Sequence, residues 1–171
     1  MSIVKGLPEN YNTLSPISFK FSFEALPNVT YFCQTVSLPS LTLGEVTVPT
    51  PLRDYTVHGD NVTYSAIDIS FIVDENMENY LELFNWIRGL APTSSFNQRR
   101  ALELNSRTGI TTTGILTILT NNMNANKTVM FDDCWPTTLG EIAFDSTQTE
   151  VPVIVTTASF NFTDLHFETV K

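Results

Sequence analysis

The chain has few of the residues that catalyse reactions or bind metals, and their spacing suits neither role. Its two histidines, His58 and His166, are more than a hundred residues apart, so there is no paired-histidine or Cys/His zinc pattern. No GxSxG, GxxxxGKS/T or GxGxxG sequence occurs, so the local machinery for acyl transfer, NTP hydrolysis and dinucleotide chemistry is missing. The sequence therefore predicts a protein that is not an enzyme and that uses neither a metal nor another cofactor.

Two groups of acidic residues have both a chemical and a structural interpretation. Asp74, Glu75 and Glu78 could bind Ca²⁺, since hard cations prefer clustered carboxylates. Acidic residues in the first turn of a helix also offset the helix dipole, and this second interpretation is favoured. Asp132 and Asp133 could be taken for a catalytic pair. Adjacent residues on a strand point to opposite faces, however, which argues against a pair.

Acidic residues outnumber basic ones in this chain of 171 residues. Eighteen Asp and Glu against nine Lys and Arg give a net charge of −9, so stable binding to nucleic-acid phosphates is not expected. Three arginines, Arg99, Arg100 and Arg107, lie in one polar segment, and we expect them to pair with acidic patches on a neighbouring subunit. Cys33 and Cys134 lack CxxC spacing and are expected to be two buried thiols.

The alternation of apolar and polar residues predicts a chain built mainly of β-strands. Residues 18–25 place phenylalanines on one face, and residues 66–73 place isoleucines, a phenylalanine and a valine on one face. Residues 30–38 are predicted to form a hairpin with 18–25. Residues 110–120 and 128–131 predict a second hairpin, followed by a bend at 135–141 and a long strand at 149–163.

One helix and one polar arm interrupt the strands. The apolar period changes after Asp74, which predicts a helix over about 76–88 whose sheet-facing stripe is Met77, Tyr80, Leu81, Phe84 and Ile87. Residues 44–64 hold two Val/Thr-rich segments around Pro49-Thr50-Pro51 and are too polar for a core. We interpret this segment as an extended arm, and His58 within it as a turn or contact residue.

Seven or eight predicted strands with one helix favour a single domain over residues 1–171, with 1–16 as an N-terminal extension. The predicted fold class is mainly β: a two-sheet antiparallel β-sandwich or squashed barrel with one flanking helix. An α+β domain with a layered sheet is the alternative. No stretch approaches the ~20 apolar residues of a spanning helix, and 1–16 lacks a signal-peptide pattern. We therefore expect synthesis in a cytosol and no membrane insertion of the free subunit.

Several short motifs, taken in order, resemble the tail tube protein family of contractile-tailed phages. In the first half these are Tyr31-Phe32-Cys33-Gln34, Ser37-Leu38-Pro39, His58-Gly59-Asp60, and Phe84-Asn85-Trp86 within the predicted helix. In the second half, the run from Cys134-Trp135-Pro136 to Gly140-Glu141-Ile142 is similar to the Trp-Pro-x-x-x-Gly-Glu signature of the family. The resemblance spans residues 15–168.

The resemblance implies a structural virion protein whose sandwich sheets join those of neighbours into a six-membered ring with a β-barrel lumen. Such rings stack into a tail tube that contacts sheath and baseplate proteins, is assembled in the host cytoplasm, and passes phage DNA without binding it stably. By this resemblance, the arm at 44–64 is an extended inter-subunit arm that reaches a neighbouring ring. The candidate subunit-interface residues are Leu52, Arg53, Tyr55, His58, Arg99, Arg100 and Arg107. The candidate lumen-facing residues are Glu24 and Asp68.

Two alternatives stay open at this point. The chain could be a tube-initiator or terminal ring protein of the same tail or baseplate, because no motif in it separates these roles from that of the repeating subunit. It could instead be a carbohydrate-binding β-sandwich, an interpretation motivated by Trp86 and Trp135 and by the Asn/Asp-rich turns, although both tryptophans lie beside apolar runs.

Overall fold

The fold is that of a computed structural model that describes residues 11–93, 95–97, 99–100, 110–147, 149 and 153–169. Within these residues nine strands and two helices have defined ends, and residues 97, 99 and 100 are also helical. In chain order they are Phe19–Phe23 (β1), Pro27–Phe32 (α1), Cys33–Val36 (β2), Leu41–Val48 (β3), Tyr55–Tyr64 (β4), Ile67–Ile72 (β5), Glu78–Leu90 (α2), Thr112–Leu119 (β6), Ala125–Leu139 (β7), Val155–Asn161 (β8) and Asp164–Thr169 (β9).

Strand β7 joins two antiparallel sheets. Its first part pairs with β6 on one side and β9 on the other, and β1 lies beyond β6. Its last residues, from Trp135 to Leu139, pair with β8, which is followed by β5 and β2. The strand changes sheet next to Asp133, which has a φ of 51°. This left-handed conformation is uncommon for residues other than glycine and re-aims the strand.

The two sheets pack face to face around an aromatic core. The ring of Phe23 on β1 lies 4.6 Å from that of Phe160 on β8, and Phe131 on β7 lies 5.4 Å from Phe162. The alternation predicted for 18–25 and 66–73 is observed, with Phe21, Phe23 and the inward residues of β5 buried. The predicted fold class, a mainly β antiparallel sandwich with a flanking helix, is confirmed.

Helix α2 covers the sandwich with a different face from the one predicted. Leu83 and Trp86 are buried, and the Trp86 indole donates a hydrogen bond to the Ile110 carbonyl at 3.1 Å. Leu81 and Phe84, which belong to the predicted stripe, are 47% and 39% exposed. The prediction of the stripe is wrong because α2 carries apolar residues on two faces, and periodicity alone does not select the face that meets the sheet.

The start of α2 is fixed by side chains that precede it. The Asp74 carboxylate accepts the backbone N–H groups of Glu78 and Asn79, each at 3.2 Å. The amide of the buried Asn79 in turn donates to the Ile72 carbonyl at 2.8 Å. These bonds satisfy donors that the first turn leaves unpaired, and they attach the helix to the end of β5.

The predicted hairpin of residues 18–25 and 30–38 is wrong. Strand β1 pairs with β6, β2 pairs with β5, and the segment between them forms helix α1. The Thr30 hydroxyl donates to the Leu26 carbonyl and accepts the Phe23 N–H, while Val29 is fully buried. Pro27 at the first position suits a helix start, and this local network replaces strand pairing.

Two predictions for the C-terminal half also need correction. Residues 135–139 continue β7 and do not form a bend, since they pair with β8. The strand predicted over 149–163 is shorter, at Val155–Asn161, and a further strand, Asp164–Thr169, follows it. The chain reverses between them, and β9 lies beside the first part of β7.

Candidate functional site

A largely exposed hairpin projects from the described part of the chain, and it is defined here as β3, β4 and the loop between them, residues 41–64. Its strands pair with each other, from Leu41 opposite Tyr64 to Val48 opposite Tyr55, and form a sheet of their own. At the base, the Ser65 N–H donates to the Ser40 carbonyl and the Ser40 N–H donates to the Ser65 hydroxyl, which closes the hairpin. The Tyr64 ring lies 5.5 Å from Phe162 and links the base to the sandwich. A two-stranded ribbon of this kind is marginal alone and gains stability by packing against something else.

The hairpin presents its apolar residues on different faces in its two halves. Near the base, Leu41 and Leu43 lie opposite Tyr64 and Val62. Beyond an irregularity at Gly44, two further cross-strand pairs are apolar: Val46 with Val57, and Val48 with Tyr55. The two sets are offset by three positions on β3 and by five positions on β4. Because both offsets are odd, the two sets point to opposite faces.

Glycines permit the close approach of β3 and β4 at the junction between the two halves of the hairpin. A Cβ atom on Gly59 would lie 2.9 Å from the Gly44 carbonyl oxygen, closer than real contacts allow. In the basal set the Tyr64 ring contacts Phe162, and the four basal residues are still 42–64% exposed. The distal face has no partner among the described residues, and its Val46, Tyr55 and Val57 are 42–52% exposed.

Four of the candidate interface residues lie in this hairpin. Leu52 is 98% exposed in the tip loop. Arg53 follows it, and the Thr50 hydroxyl bonds to both the carbonyl and the N–H of Arg53. Tyr55 begins β4, and His58 lies opposite Glu45. The sequence pattern singled out the tip but missed the distal valines, which the Val/Thr alternation of 44–48 could have indicated.

The remaining candidate residues are dispersed. Arg99 and Arg100 are exposed in the segment that follows α2, and Arg107 lies outside the described residues. Glu24 is exposed just after β1. Asp68 lies on β5, where its carboxylate accepts the Ser159 hydroxyl at 2.6 Å. The structure therefore places the two candidate lumen acids on different sheets and does not bring them together.

One outer sheet face is rich in hydroxyl groups. This face is formed by residues of β2, β5, β7 and β8 that alternate with buried core residues. They are Thr35, Asp68, Ser70, Thr137, Thr157 and Ser159. The Thr35 and Ser70 hydroxyls are bonded at 2.5 Å, and the Thr137 hydroxyl donates to the Ser159 carbonyl at 3.0 Å. Asp68 is the only charged residue of this set, so the face has low charge and hydrogen-bonds largely to itself.

Strand edges without a partner flank both sheets in the described part of the chain. Strands β1 and β2 end the strand order, and β9 and the last residues of β7 each have one neighbour. An unpaired edge offers backbone N–H and C=O groups to another chain. These edges can extend the sheets into neighbouring subunits.

Among the described residues, burial raises the pKa of both cysteine thiols and of one carboxyl group. Burial raises the pKa of the Cys33 thiol to about 11 and that of the Cys134 thiol to about 12, so both stay protonated and unreactive at neutral pH. Burial also raises the pKa of Glu82, whose carboxylate accepts the Asn28 amide at 2.7 Å. His166 lies 3.3 Å from Asp132 on the neighbouring strand.

Two further properties concern the described residues alone. No cluster of three or more His, Cys, Asp or Glu side chains is arranged there as metal ligands. None of the helices found in those residues has the length and apolar character needed to cross a membrane.

Comparison with known proteins identifies the family and the fold. A family described as "Phage tail tube protein" matches residues 6–168. No curated protein matches the chain in sequence. Among solved structures, the tube-terminating cap of the anti-feeding prophage is similar over 99% of this chain and all of its own, with a TM-score of 0.59 at 13% identity.

Two other solved assemblies contain a chain of the same fold. One, in the anti-feeding prophage baseplate, is 16% identical over 90% of this chain and 92% of its own, with a TM-score of 0.58. The other, in the extended sheath–tube complex of an extracellular contractile injection system, is 12% identical over 94% of each chain, with a TM-score of 0.56.

Proposed function

This chain belongs to the phage tail tube protein family, and from that premise we propose that its copies associate into rings of six that stack into the tube of a contractile tail. Its role is that of a structural protein of the phage tail. The observation that carries the ring proposal is the set of unpaired edges on both sheets. Pairing β-strands between subunits would close these edges and remove a site of uncontrolled association.

The hydroxyl-rich face is our candidate for the lining of the lumen. It carries one carboxylate, that of Asp68, and its hydroxyl groups are engaged with one another. A polyanion passing along such a face meets no arginine or lysine to hold it. The net charge of −9 also disfavours bound DNA. We propose that DNA passes through the tube without a stable bound state. We also propose that Glu24, just after β1, contributes to the lining of the lumen.

The outer surface would contact the other tail components. The exposed Arg99 and Arg100 are candidates for ion pairs with a neighbouring subunit or with sheath, and Arg107 belongs to the same proposal. Sheath and baseplate are the proposed partners, in keeping with the assemblies in which chains of this fold are found. The protein is a virion component, and we propose that it assembles in the host cytoplasm and performs no catalysis.

A terminal or initiating ring is the second candidate function. It is favoured by one observation: the structural similarity to a tube-terminating cap extends over the full length of the cap chain. The carbohydrate-binding alternative loses one of its two tryptophans, because Trp86 is 8% exposed and its indole N–H is bonded to a backbone carbonyl, whereas Trp135 is half-buried. A tryptophan buried like Trp86 cannot stack on a sugar.

The test is electron microscopy with sedimentation velocity on the purified protein over a range of concentrations. Long hollow tubes are expected for a repeating subunit. Isolated rings that do not stack would establish the terminal or initiating role. A monomer that persists at the highest concentration would refute the proposed function.

A further inference from the structure

Strand β9 is attached to the sandwich at an edge of its sheet. Its pairing with β7 runs from Asp164 opposite Asp132 to Thr169 opposite Lys127. The Thr163 N–H donates to the Asp132 carbonyl at 2.9 Å, where the chain reverses out of β8. No other strand in the described part of the chain pairs with β9, so its strand pairing depends on β7 alone.

The outer face of the β7–β9 pair is rich in carboxylates. Val129 and Phe131 on β7 are fully buried, so the residues that alternate with them point away from the core. These outer residues form three cross-strand pairs: Thr128 with Glu168, Met130 with His166, and Asp132 with Asp164. Half of these six side chains are acidic, and one is a histidine.

Two of the carboxylates lie directly opposite each other. Asp132 and Asp164 are partners in the register of the two strands, and like charges directly opposite in an antiparallel pair destabilise it. Glu168 adds a third carboxylate on the same face of β9. The acidic residues therefore work against the attachment of β9.

His166 is the side chain on this face that can offset the repulsion. Its Nδ1 atom lies 3.3 Å from the Asp132 Oδ2 atom, and the two side chains are 42% and 44% exposed. Asp164 and Glu168 flank it, each two residues away along β9. An imidazolium here attracts all three carboxylates, whereas a neutral imidazole carries no charge to attract them. Histidine is the side chain that ordinarily changes charge between pH 5 and 8, while exposed carboxyl groups ordinarily titrate below about pH 5.

The other charged groups around β9 are directed elsewhere or lie farther away. Lys127 alternates onto the core side at the start of β7, where its ammonium donates to the Thr169 hydroxyl at 2.5 Å. The Asp133 carboxylate accepts the Thr111 hydroxyl at 2.9 Å. Lys20 lies on the same outer face but on β1, beyond β6. Three strand spacings, about 14 Å, separate it from β9, which exceeds the screening length at physiological salt.

We propose that His166 is a pH-sensitive latch for strand β9, whose imidazolium holds the acidic residues of β9 and Asp132 of β7 together in mildly acidic solution. The attraction is present when the imidazole is protonated and is lost as the pH rises through neutrality, so β9 then detaches more easily. The latch belongs to the single subunit. Because the outer edge of β9 is one of those proposed to pair with a neighbour, that pairing would also become pH-dependent, and this consequence alone rests on the proposed function.

Amide hydrogen exchange of the dispersed subunit, at about pH 5.5 and about pH 8, tests the latch. Protection factors, corrected for the intrinsic effect of pH on exchange, are compared for β9. The edge strand β2, which lies in the other sheet and contains no histidine, is the internal reference. In the wild type, the protection of β9 should be about two- to fivefold lower at the higher pH, as expected for one cross-strand charge interaction, while β2 should not change.

Variants of the face test which group is responsible. His166→Gln should lower the protection of β9 at pH 5.5 and remove its pH dependence, whereas His166→Lys keeps a cation and should hold the protection high at both pH values. Asp164→Asn removes the facing like charge and should raise the protection at pH 8. His58→Gln, a change of the other histidine of the chain, is the matched control and should leave the pH dependence of β9 intact. Circular dichroism checks that each variant is folded.

The outcomes separate the latch from the proposed function. Equal protection of β9 at the two pH values in the wild type would overturn the inference, and so would a pH dependence that survives in His166→Gln or disappears in His58→Gln. None of these results bears on tube formation, because the measurement is made on single subunits. A wild-type protein that never assembles would refute the proposed function and leave the latch in place.

Discussion

At the scale of single residues, the contacts of Gly140 give a physical reason for the glycine in the Trp-Pro-x-x-x-Gly-Glu signature. Its N–H donates to the Thr157 carbonyl at 2.7 Å, and its carbonyl accepts the Tyr80 hydroxyl at 3.4 Å. It therefore lies where the end of β7 meets β8 and helix α2. A Cβ atom here would lie 2.8 Å from the Thr157 Oγ1 atom and 2.9 Å from both the Thr156 Oγ1 atom and the Thr157 carbonyl oxygen.

Gly140→Ala is accordingly expected to destabilise the fold by about 1–3 kcal/mol, because an added methyl group in a filled site forces backbone to shift. Guanidinium unfolding followed by tryptophan fluorescence measures this. Thr157→Ala in the same chain removes one of the clashing atoms and leaves the carbonyl, so it should recover part of the loss. A Gly140→Ala variant as stable as the wild type would show that β7 and β8 can separate there freely.

The sequence predicted some site residues and could not have predicted others. Leu52 and Arg53 were accessible to sequence reasoning because prolines and polar residues around them indicate an exposed loop. The apolar groove lined by Val73, Phe144 and Val153 was not, because Val73 is far in sequence from the other two residues and only the folded chain brings them together. The role of Gly140 was hidden for the same reason: its contacts are with Thr156 and Thr157.

At the scale of elements, α2 is attached to the sandwich through one of its two apolar faces. Leu83 is fully buried, whereas Leu81, two residues earlier, is 47% exposed. Leu83→Ala should lower the free energy of unfolding by about 2–5 kcal/mol, since it removes buried methyl groups and leaves a cavity. Leu81→Ala is the matched control and should change the stability of the dispersed subunit by less than about 1 kcal/mol.

Thermal or denaturant unfolding under non-assembling conditions compares the two variants. Equal losses for both would mean that the helix uses its two faces alike, contrary to the burial observed. A further comparison under assembling conditions is informative, since a loss of assembly for Leu81→Ala without a loss of stability would assign the outer face of α2 to a contact between copies.

The sequence predicted where most strands lie, but it did not predict which strands pair with each other. The alternation in β1 and β5 gives their buried faces correctly because period two depends on local residue order. Pairing depends on distant partners, so β1 and β2 were predicted to form a hairpin although they belong to different sheets. The long β7 was missed as a single strand because Asp133 and Pro136 interrupt its pattern, and these are the residues at which it passes from one sheet to the other.

At the scale of the whole molecule, assembly works against electrostatic repulsion. Each copy carries a net charge of −9, and a tube brings many copies close together. Burial of apolar side chains such as those of the hairpin and the groove favours association and is not weakened by simple salt. Exposed ion pairs between copies contribute only about 0–1 kcal/mol each against this excess of like charge.

Salt should therefore promote assembly. Raising NaCl from about 20 to 500 mM shortens the screening length from roughly 20 Å to about 4 Å, and the concentration at which tubes first form should fall several-fold. Sedimentation of assembled material at each salt concentration measures it. A critical concentration that rises with salt would instead mean that complementary charged contacts, and not apolar burial, hold the copies together.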